Sequence, residues 1–274
     1  MTVNRDAEGN RYVQAKVEVP GSVDDVWQAI ATGPGISAWF VPTTLEERAG
    51  GVTISHFGSE MDSHATLSVW DPPHRFVADS PDELGPDGPP VATEWSVETR
   101  SGDTCVVRVV HRWFTESDEW DEQFIGHTYG WQAFFRILRL YLAEFPRQTG
   151  AMLQTMGMAA PPRMAAWEQF TCPLGLAGKP VGSHFSAPAD APSLAGEIAW
   201  AGNPEWFDEF LIRLERPAPG IAHLASYEMG DQVHLWLRLY LYGDDAADIV
   251  SRLEPAWQEW MAKQFPLPET AAAD

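Results

Sequence analysis

Gly126, His127, Gly130 and Trp131 combine chemistry with spacing inside one stretch, DEQFIGHTYGWQAFFRILRLYLAEFP, from Asp121 to Pro146. A four-residue step puts the two glycines on one helical face, with an imidazole and an indole beside them. Glycine within a helix costs roughly 1 kcal/mol relative to alanine. Two readings are open: bare backbone leaves room for a ligand against the helix, or the glycines mark a helix start or kink. A second group lies upstream. Alternation in Thr104 to Phe114 puts Cys105, Val107, Val109, His111 and Trp113 on one side of a strand, and Trp95, with Thr93 and Val97, faces the same way one strand earlier. On a ligand reading Trp95 and Trp113 are cavity walls and His111 is the polar handle. On the alternative they are core residues, with the imidazole hydrogen-bonded locally. Trp39 and Phe40, and Phe124, Trp131 and Phe135 of the long stretch, complete the expected walls.

Other chemistries lack their residues. The eight histidines show no HExxH or other ligand-spaced cluster, so no metal is expected. There is no GxGxxG, GxxxxGK[ST] or GxSxG, which disfavours nucleotide cofactors and a hydrolase elbow, and no cofactor is expected. The pairs Asp24-Asp25, Glu46-Glu47 and Asp121-Glu122 are adjacent at turns or helix starts, where solvated capping is the expected role.

These residues need elements to hold them. From Phe124 to Phe145 bulky apolar groups recur at three- and four-residue steps, which predicts a helix with one broad covered side. Some 25 residues at about 1.5 Å each reach roughly 38 Å, enough to cross a seven-stranded sheet roughly 29 Å wide. Upstream, Arg11 to Val19 alternates as a half-buried strand. Ser22 is a natural N-cap for a helix carrying Val26, Trp27 and Ile30. Gly33-Pro34-Gly35 is expected to stop it, with Ile36 to Phe40 a short second helix. Strands are expected at 43–49, 52–57, 65–70, 75–79, 91–99 and 104–114, divided by Gly-, Pro- and Asp-rich turns. Short turns imply a mainly antiparallel sheet bent around the long helix.

The 274 residues hold 18 Lys and Arg against 39 Asp and Glu, a formal charge of −21, which repels phosphate backbones and anionic membrane surfaces. Nucleic acid and membrane are not expected partners. The start has no apolar run behind a basic segment and no stretch approaches a membrane span, so a cytoplasmic location is expected. Both cysteines, Cys105 and Cys172, read as reduced packing residues. Thirteen Trp and thirteen Phe are many for this length and suit walls around flat ligands, or ordinary packing.

The second half repeats the plan. Val26-Trp27-Gln28 and Gly35-Ile36 match Ala166-Trp167-Glu168 and Gly175-Leu176 at an offset of 140; Ser55-His56-Phe57 matches Ser183-His184-Phe185 at 128; Trp70 matches Trp200 at 130. In the closing helices Trp131-Gln132 matches Trp257-Gln258 at 126, but Phe145-Pro146 matches Phe265-Pro266 at 120, so their alignment is open. The second copy is expected to run through a strand 151–158, a helix 164–171, strands 207–215, 221–229 and 232–242, and a helix 246–265. Two tandem domains follow, 1–148 and 149–274. In 232–242, Val233, Leu235, Leu237, Leu239 and Leu241 form one face, which argues for a drier interior than in the first copy; the His/Trp/Tyr face as the cavity lining is equally open.

YVQAKVEVPGSVDDVWQAIATGPGISAWF, ATLSVWDPPHRF, EWSVE and the long aromatic helix resemble the START-like, or Bet v 1-like (SRPBCC), superfamily of helix-grip folds, within the group similar to activators of the heat-shock chaperone ATPase. The resemblance covers about residues 11 to 146, and the second half only through the repeat. It implies an α+β fold, two tandem domains each with a curved antiparallel sheet wrapped around a long C-terminal helix, and a cavity for an apolar small molecule between sheet and helix. A tandem double copy most resembles proteins of enediyne biosynthetic and self-resistance loci. The expected function is therefore binding or sequestration of an apolar aromatic polyketide-type compound, without catalysis. The alternatives are a polyketide cyclase or aromatase, and an interaction module acting on a chaperone. Enediyne-resistance relatives surrender a hydrogen from a cavity glycine, with Gly126 and Gly130 the candidates here. Oligomeric state is open, a monomer with an intrachain domain interface being one answer.

Overall fold

The computed structural model describes residues 3–58, 62–85, 87–115, 117–202 and 208–266, excepting the side chains of 122–129. Two compact units divide at Thr149/Gly150. In the first, β1 (Asn4–Arg5), β2 (Arg11–Pro20), α1 (Val23–Ala31) and α2 (Gly33–Ser37) precede β3 (Thr43–Leu45), β4 (Val52–His56), β5 (Asp62–Asp71), β6 (Arg75–Ser80), β7 (Val91–Thr99) and β8 (Thr104–Trp113), and α3 (Asp121–Glu144) closes the unit. The sheet runs β1-β2-β8-β7-β6-β5-β4-β3 and every ladder is antiparallel.

The local chemistry explains the elements. Ser22 caps α1: its hydroxyl accepts from the Asp25 N–H at 3.2 Å and donates to the Asp25 carboxylate at 2.6 Å. That bond, with Arg147 beside it, holds the Asp25 carboxyl below its ordinary range. α1 ends at Ala31, just before Gly33-Pro34-Gly35, but these three residues begin α2 instead of preceding a helix at Ile36. Thr32 supplies the reason, because its hydroxyl accepts from the Gly35 N–H at 3.0 Å and Pro34 occupies the first turn, where no N–H is needed.

Arg11 and Asp121 join the start of β2 to the start of α3. Arg11 Nε donates to Asp121 Oδ1 at 2.5 Å and its terminal N–H donates to the second carboxylate oxygen, a two-pronged contact on a buried guanidinium. The carboxylate raises the Arg11 pKa further. Breaking a buried pair costs about 3–5 kcal/mol, and Asp121 keeps about a fifth of its side chain exposed. Arg11→Ala is therefore expected to cost about 2 kcal/mol by urea titration, and a double variant with Asp121→Ala should cost less than the two single losses added.

The second unit comprises β9 (Gly150–Ala159), α4 (Arg163–Thr171), β10 (His184–Ser186), β11 (Ala195–Ala201), β12 (Asp208–Arg216), β13 (Gly220–Met229), β14 (Gln232–Tyr242) and α5 (Ala246–Gln264). Its antiparallel sheet runs β10-β11-β12-β13-β14-β9. Phe207, the expected start of β12, lies outside the described residues. Val233, Leu235, Leu237, Leu239 and Leu241 are all fully buried in one core with Phe170, Trp257 and Met261, so the leucine face is the inner one. On the other face Arg238 lies 4.8 Å over the Trp236 ring and its Nε donates to Gln154 at 2.7 Å. Cys105 is buried as expected. Cys172 is exposed, because it caps the exposed end of α4.

The ladders place the two units in register. Val13 opposite His111 corresponds to Leu153 opposite Leu239, the same offset of 140 (153 − 13) that the helices show. Carried across both sheets, this register puts His184 at the place of Val52, so the Ser-His-Phe tripeptides are not structural equivalents. The Phe-Pro ends decide the helix alignment. Phe145 and Phe265 both cap, their N–H groups donating to Tyr141 O and Met261 O at 2.8 Å. Trp257 then takes the place of Ile137, both fully buried, and Ser251 the place of Trp131.

Candidate functional site

The first unit encloses a cavity of about 120 Å³ between its sheet and α3. Ile30, Ile36, Trp39 and Phe40 supply one wall from α1, α2 and the chain just after α2. Phe76, Trp95 and His111 rise from β6, β7 and β8, and Trp131 comes down from α3. The rest of the lining is mixed: Thr43, Thr53, Ser55, Ser63, Ser80 and Thr93 contribute six hydroxyl-bearing side chains among Leu45, Phe57, Ala65 and Ala78, and Ser63 donates to Glu83 at 2.8 Å. The expected apolar hollow is therefore an amphipathic one. Hydroxyl groups tolerate the half-buried, hydrogen-bonded positions that strands offer; Thr43 Oγ1 and Ser55 Oγ, for example, lie 3.1 Å apart.

The aromatic wall is close-knit. Trp131 stacks on Phe40 at 5.2 Å and 20°, and meets Trp95 edge-on at 4.9 Å and 87°. Trp95 in turn stacks on Phe76 at 6.1 Å and packs against Trp39 at 6.2 Å. Trp39 Nε1 donates to Ala29 O at 2.8 Å, which fixes the wall to α1.

At the centre is a hydrogen-bonded chain, Thr93, His111, Trp131. The indole N–H of Trp131 points at His111 Nε2, and His111 Nδ1 lies 2.9 Å from Thr93 Oγ1. An indole nitrogen only donates, so Nε2 carries the lone pair. An imidazole that accepts there is left to donate at Nδ1, toward Thr93 Oγ1. Its acceptor nitrogen lies on the side of α3.

Trp39, Phe40, Trp95, His111 and Trp131 come together here as the expected walls. Trp113 does not. It is fully buried in a separate small cluster with Val13, Leu84 and Val91, because β8 reaches past the cavity before it ends. Phe135 is buried behind the wall, against Trp95 and Trp131, and does not line the space. Phe124, Gly126 and His127 lie outside the residues whose side chains are described. Thr53, Ser55 and Phe57 were not anticipated, although alternation along 52–57 puts all three on one side. Glu83 carried no signal, since it comes from a turn.

Gly130 lies inside α3 and a Cβ built on it meets nothing within 4 Å. No packing demand explains this glycine. Gly130→Ala is expected to raise stability by about 0.4–1 kcal/mol, read as a higher melting temperature; a destabilised variant would show that bare backbone is needed there. Among the described residues no group of three or more His, Cys, Asp or Glu side chains could hold a metal ion, and no helix is long and apolar enough to cross a membrane.

The second unit lacks the polar chain. Leu239 stands where His111 does, Ala222 where Thr93 does, and Leu224 where Trp95 does. Ser251, in the place of Trp131, is exposed and donates to Ala247 O at 2.9 Å. The same plan therefore folds with leucine and alanine at these places, and the histidine, threonine and tryptophan of the first unit are not demanded by the architecture.

A concave antiparallel sheet gripping a long C-terminal helix, built twice along one chain, defines a tandem helix-grip protein. Residues 20–143, a little under half the chain, match the model of the family described as Activator of Hsp90 ATPase homolog 1-like protein. No curated protein matches the chain. Similar solved structures include the di-domain ARO/CYC BexL from the BE-7585A biosynthetic pathway, at 13% identity over 92% of this chain and 99% of that one, with a TM-score of 0.44. DynU16, from the dynemicin biosynthetic locus, is 17% identical over 92% and 96%, with a TM-score of 0.43. CalU16 from Micromonospora echinospora is 17% identical over 52% and 83%, with a TM-score of 0.41.

Proposed function

We propose that the first unit binds a flat aromatic small molecule between its sheet and α3, and that the second unit is the more solidly packed partner. The observation that carries this reading is the Thr93, His111, Trp131 chain set in an aromatic wall around a cavity, together with its replacement by Ala222, Leu239 and Ser251 in the copy. A core that needed only to be filled would be filled as the second one is. The six hydroxyl-bearing residues of the lining suit a guest that carries oxygen atoms on its rings.

The finer reading is an aromatic polyketide-type compound, including an enediyne or its precursor, held or sequestered. Extraction of the purified protein and mass spectrometry of what co-purifies tests it: an aromatic compound at up to one per chain supports it, and a preparation that neither carries nor takes up any aromatic compound overturns it. Treatment with an activated enediyne and mapping of fragments tests the glycine hypothesis, cleavage at Gly126 or Gly130 supporting it and an intact chain ending it. His111 also favours a second reading, catalysis of ring closure, because a neutral imidazole beside a cavity can accept a proton. Repeated turnover of a polyketide substrate marks that reading; saturation at one ligand per cavity marks binding.

A further inference from the structure

The cavity, about 120 Å³, is smaller than the roughly 300–1,000 Å³ of typical ligand pockets. A polycyclic guest needs more space than that. Trp131 supplies the missing space. It lines the cavity and is itself only half-buried, so it stands between the cavity and solvent. Its indole stacks on Phe40, meets Trp95 edge-on, points its N–H at His111 Nε2 and packs against Phe134 and Phe135. The first three are contacts that a flat guest with one edge donor would make. The residue before it is Gly130, whose surroundings are open, so the helix is weakest where the indole is attached.

We propose that Trp131 is a displaceable plug. Its indole occupies the guest's place, and a flat ring bearing an edge N–H or O–H expels it, stacks on Phe40 and donates to His111 Nε2. The inference rests on the binding function proposed above and assigns the specificity within it: His111 selects a hydrogen-bond donor, and Trp131 sets the threshold affinity a guest must exceed. The second unit has neither acceptor nor plug, holding Leu239 and Ser251 at those places.

Titration of the full chain with 2-naphthol and with 2-methoxynaphthalene, the same ring without a donor, tests this. A plug that competes with the guest lowers apparent affinity by the fraction of chains already open. Trp131→Ala is therefore expected to bind 2-naphthol at least tenfold more tightly than the wild type, while His111→Leu loses the preference for 2-naphthol over its methyl ether. If the wild type binds 2-naphthol and a folded Trp131→Ala binds it no better, the plug is overturned and the binding function stands. If neither protein binds either probe, both fall. Should Trp131→Ala fail to fold, Trp131→Phe keeps a ring and loses the N–H; a several-fold gain supports the plug, and an affinity equal to the wild type overturns it.

Discussion

Trp257→Ala lowers the stability of the second unit by about 3–5 kcal/mol, the range for removing a fully buried tryptophan from a core. The side chain is completely buried, packs edge-on against Trp260 at 5.6 Å, and belongs to the same cluster as Leu239 and Phe265. Little of that loss is hydrogen bonding, because the indole N–H has no partner among the described residues. Trp257→Phe should accordingly be far milder, about 1–1.5 kcal/mol, since it keeps most of the packing and removes a buried, unsatisfied donor. Urea titration combined with hydrogen exchange of the β14 amides separates the outcomes. A Trp257→Ala loss below about 1 kcal/mol with β14 protection intact would show that α5 does not hold this core together.

A double variant, Thr93→Ala with His111→Leu, keeps the fold and loses recognition. It writes the second unit's residues, Ala222 and Leu239, into the first. Replacing both members of a hydrogen-bonded pair by apolar groups of similar size is nearly neutral, and Trp131, being half-buried, can turn its N–H to water. Stability should therefore change by no more than about 1 kcal/mol. The preference for 2-naphthol over 2-methoxynaphthalene should fall by roughly tenfold, the value of one hydrogen bond of about 1.4 kcal/mol, while release of the Trp131 N–H from His111 favours both probes equally. Unfolding of the variant would instead assign the pair to the core. Unchanged affinity for both probes would remove His111 from the recognition site.

The two variants sample the two kinds of residue that separate the units. In the second unit an interior of leucine and aromatic side chains holds the closing helix by packed apolar area. In the first, part of that area is exchanged for an imidazole, a hydroxyl and an indole linked in series. That exchange lowers the packing available to the first unit and supplies directionality, which a small-molecule site needs and a core does not.

Several features were legible along the chain because they are periodic. Alternation in 11–19 and 104–114 and the helical recurrence in 121–146 reappear as β2, β8 and α3, and the leucine face of 232–242 is the buried face of β14. Periodicity survives folding because the geometry of each element sets it locally. Capping was half legible: Ser22 acts as expected, while Thr32 turned an expected helix stop into a helix start.

Where periodic elements end, and which ends meet, is set by distant partners. Trp113 shares a strand face with His111 and differs only in lying past the cavity. No spacing rule shows where along a strand a hollow stops. Matching tripeptides suggested one repeat register and the hydrogen-bonded ladders imposed another, because a ladder aligns backbones and is indifferent to which side chains happen to recur. The sequence by itself determined two helix-grip units and an aromatic interior with a histidine in it, since burial patterns are written residue by residue. Only the tertiary structure decided that Trp131 turns its N–H to His111 Nε2, that six hydroxyl-bearing residues share the cavity lining with the aromatic rings, and that Trp131, half-buried, lines the same cavity. Those properties arise from contacts between residues 18 (Thr93 and His111) to 91 (Phe40 and Trp131) positions apart, whose distances no local rule contains.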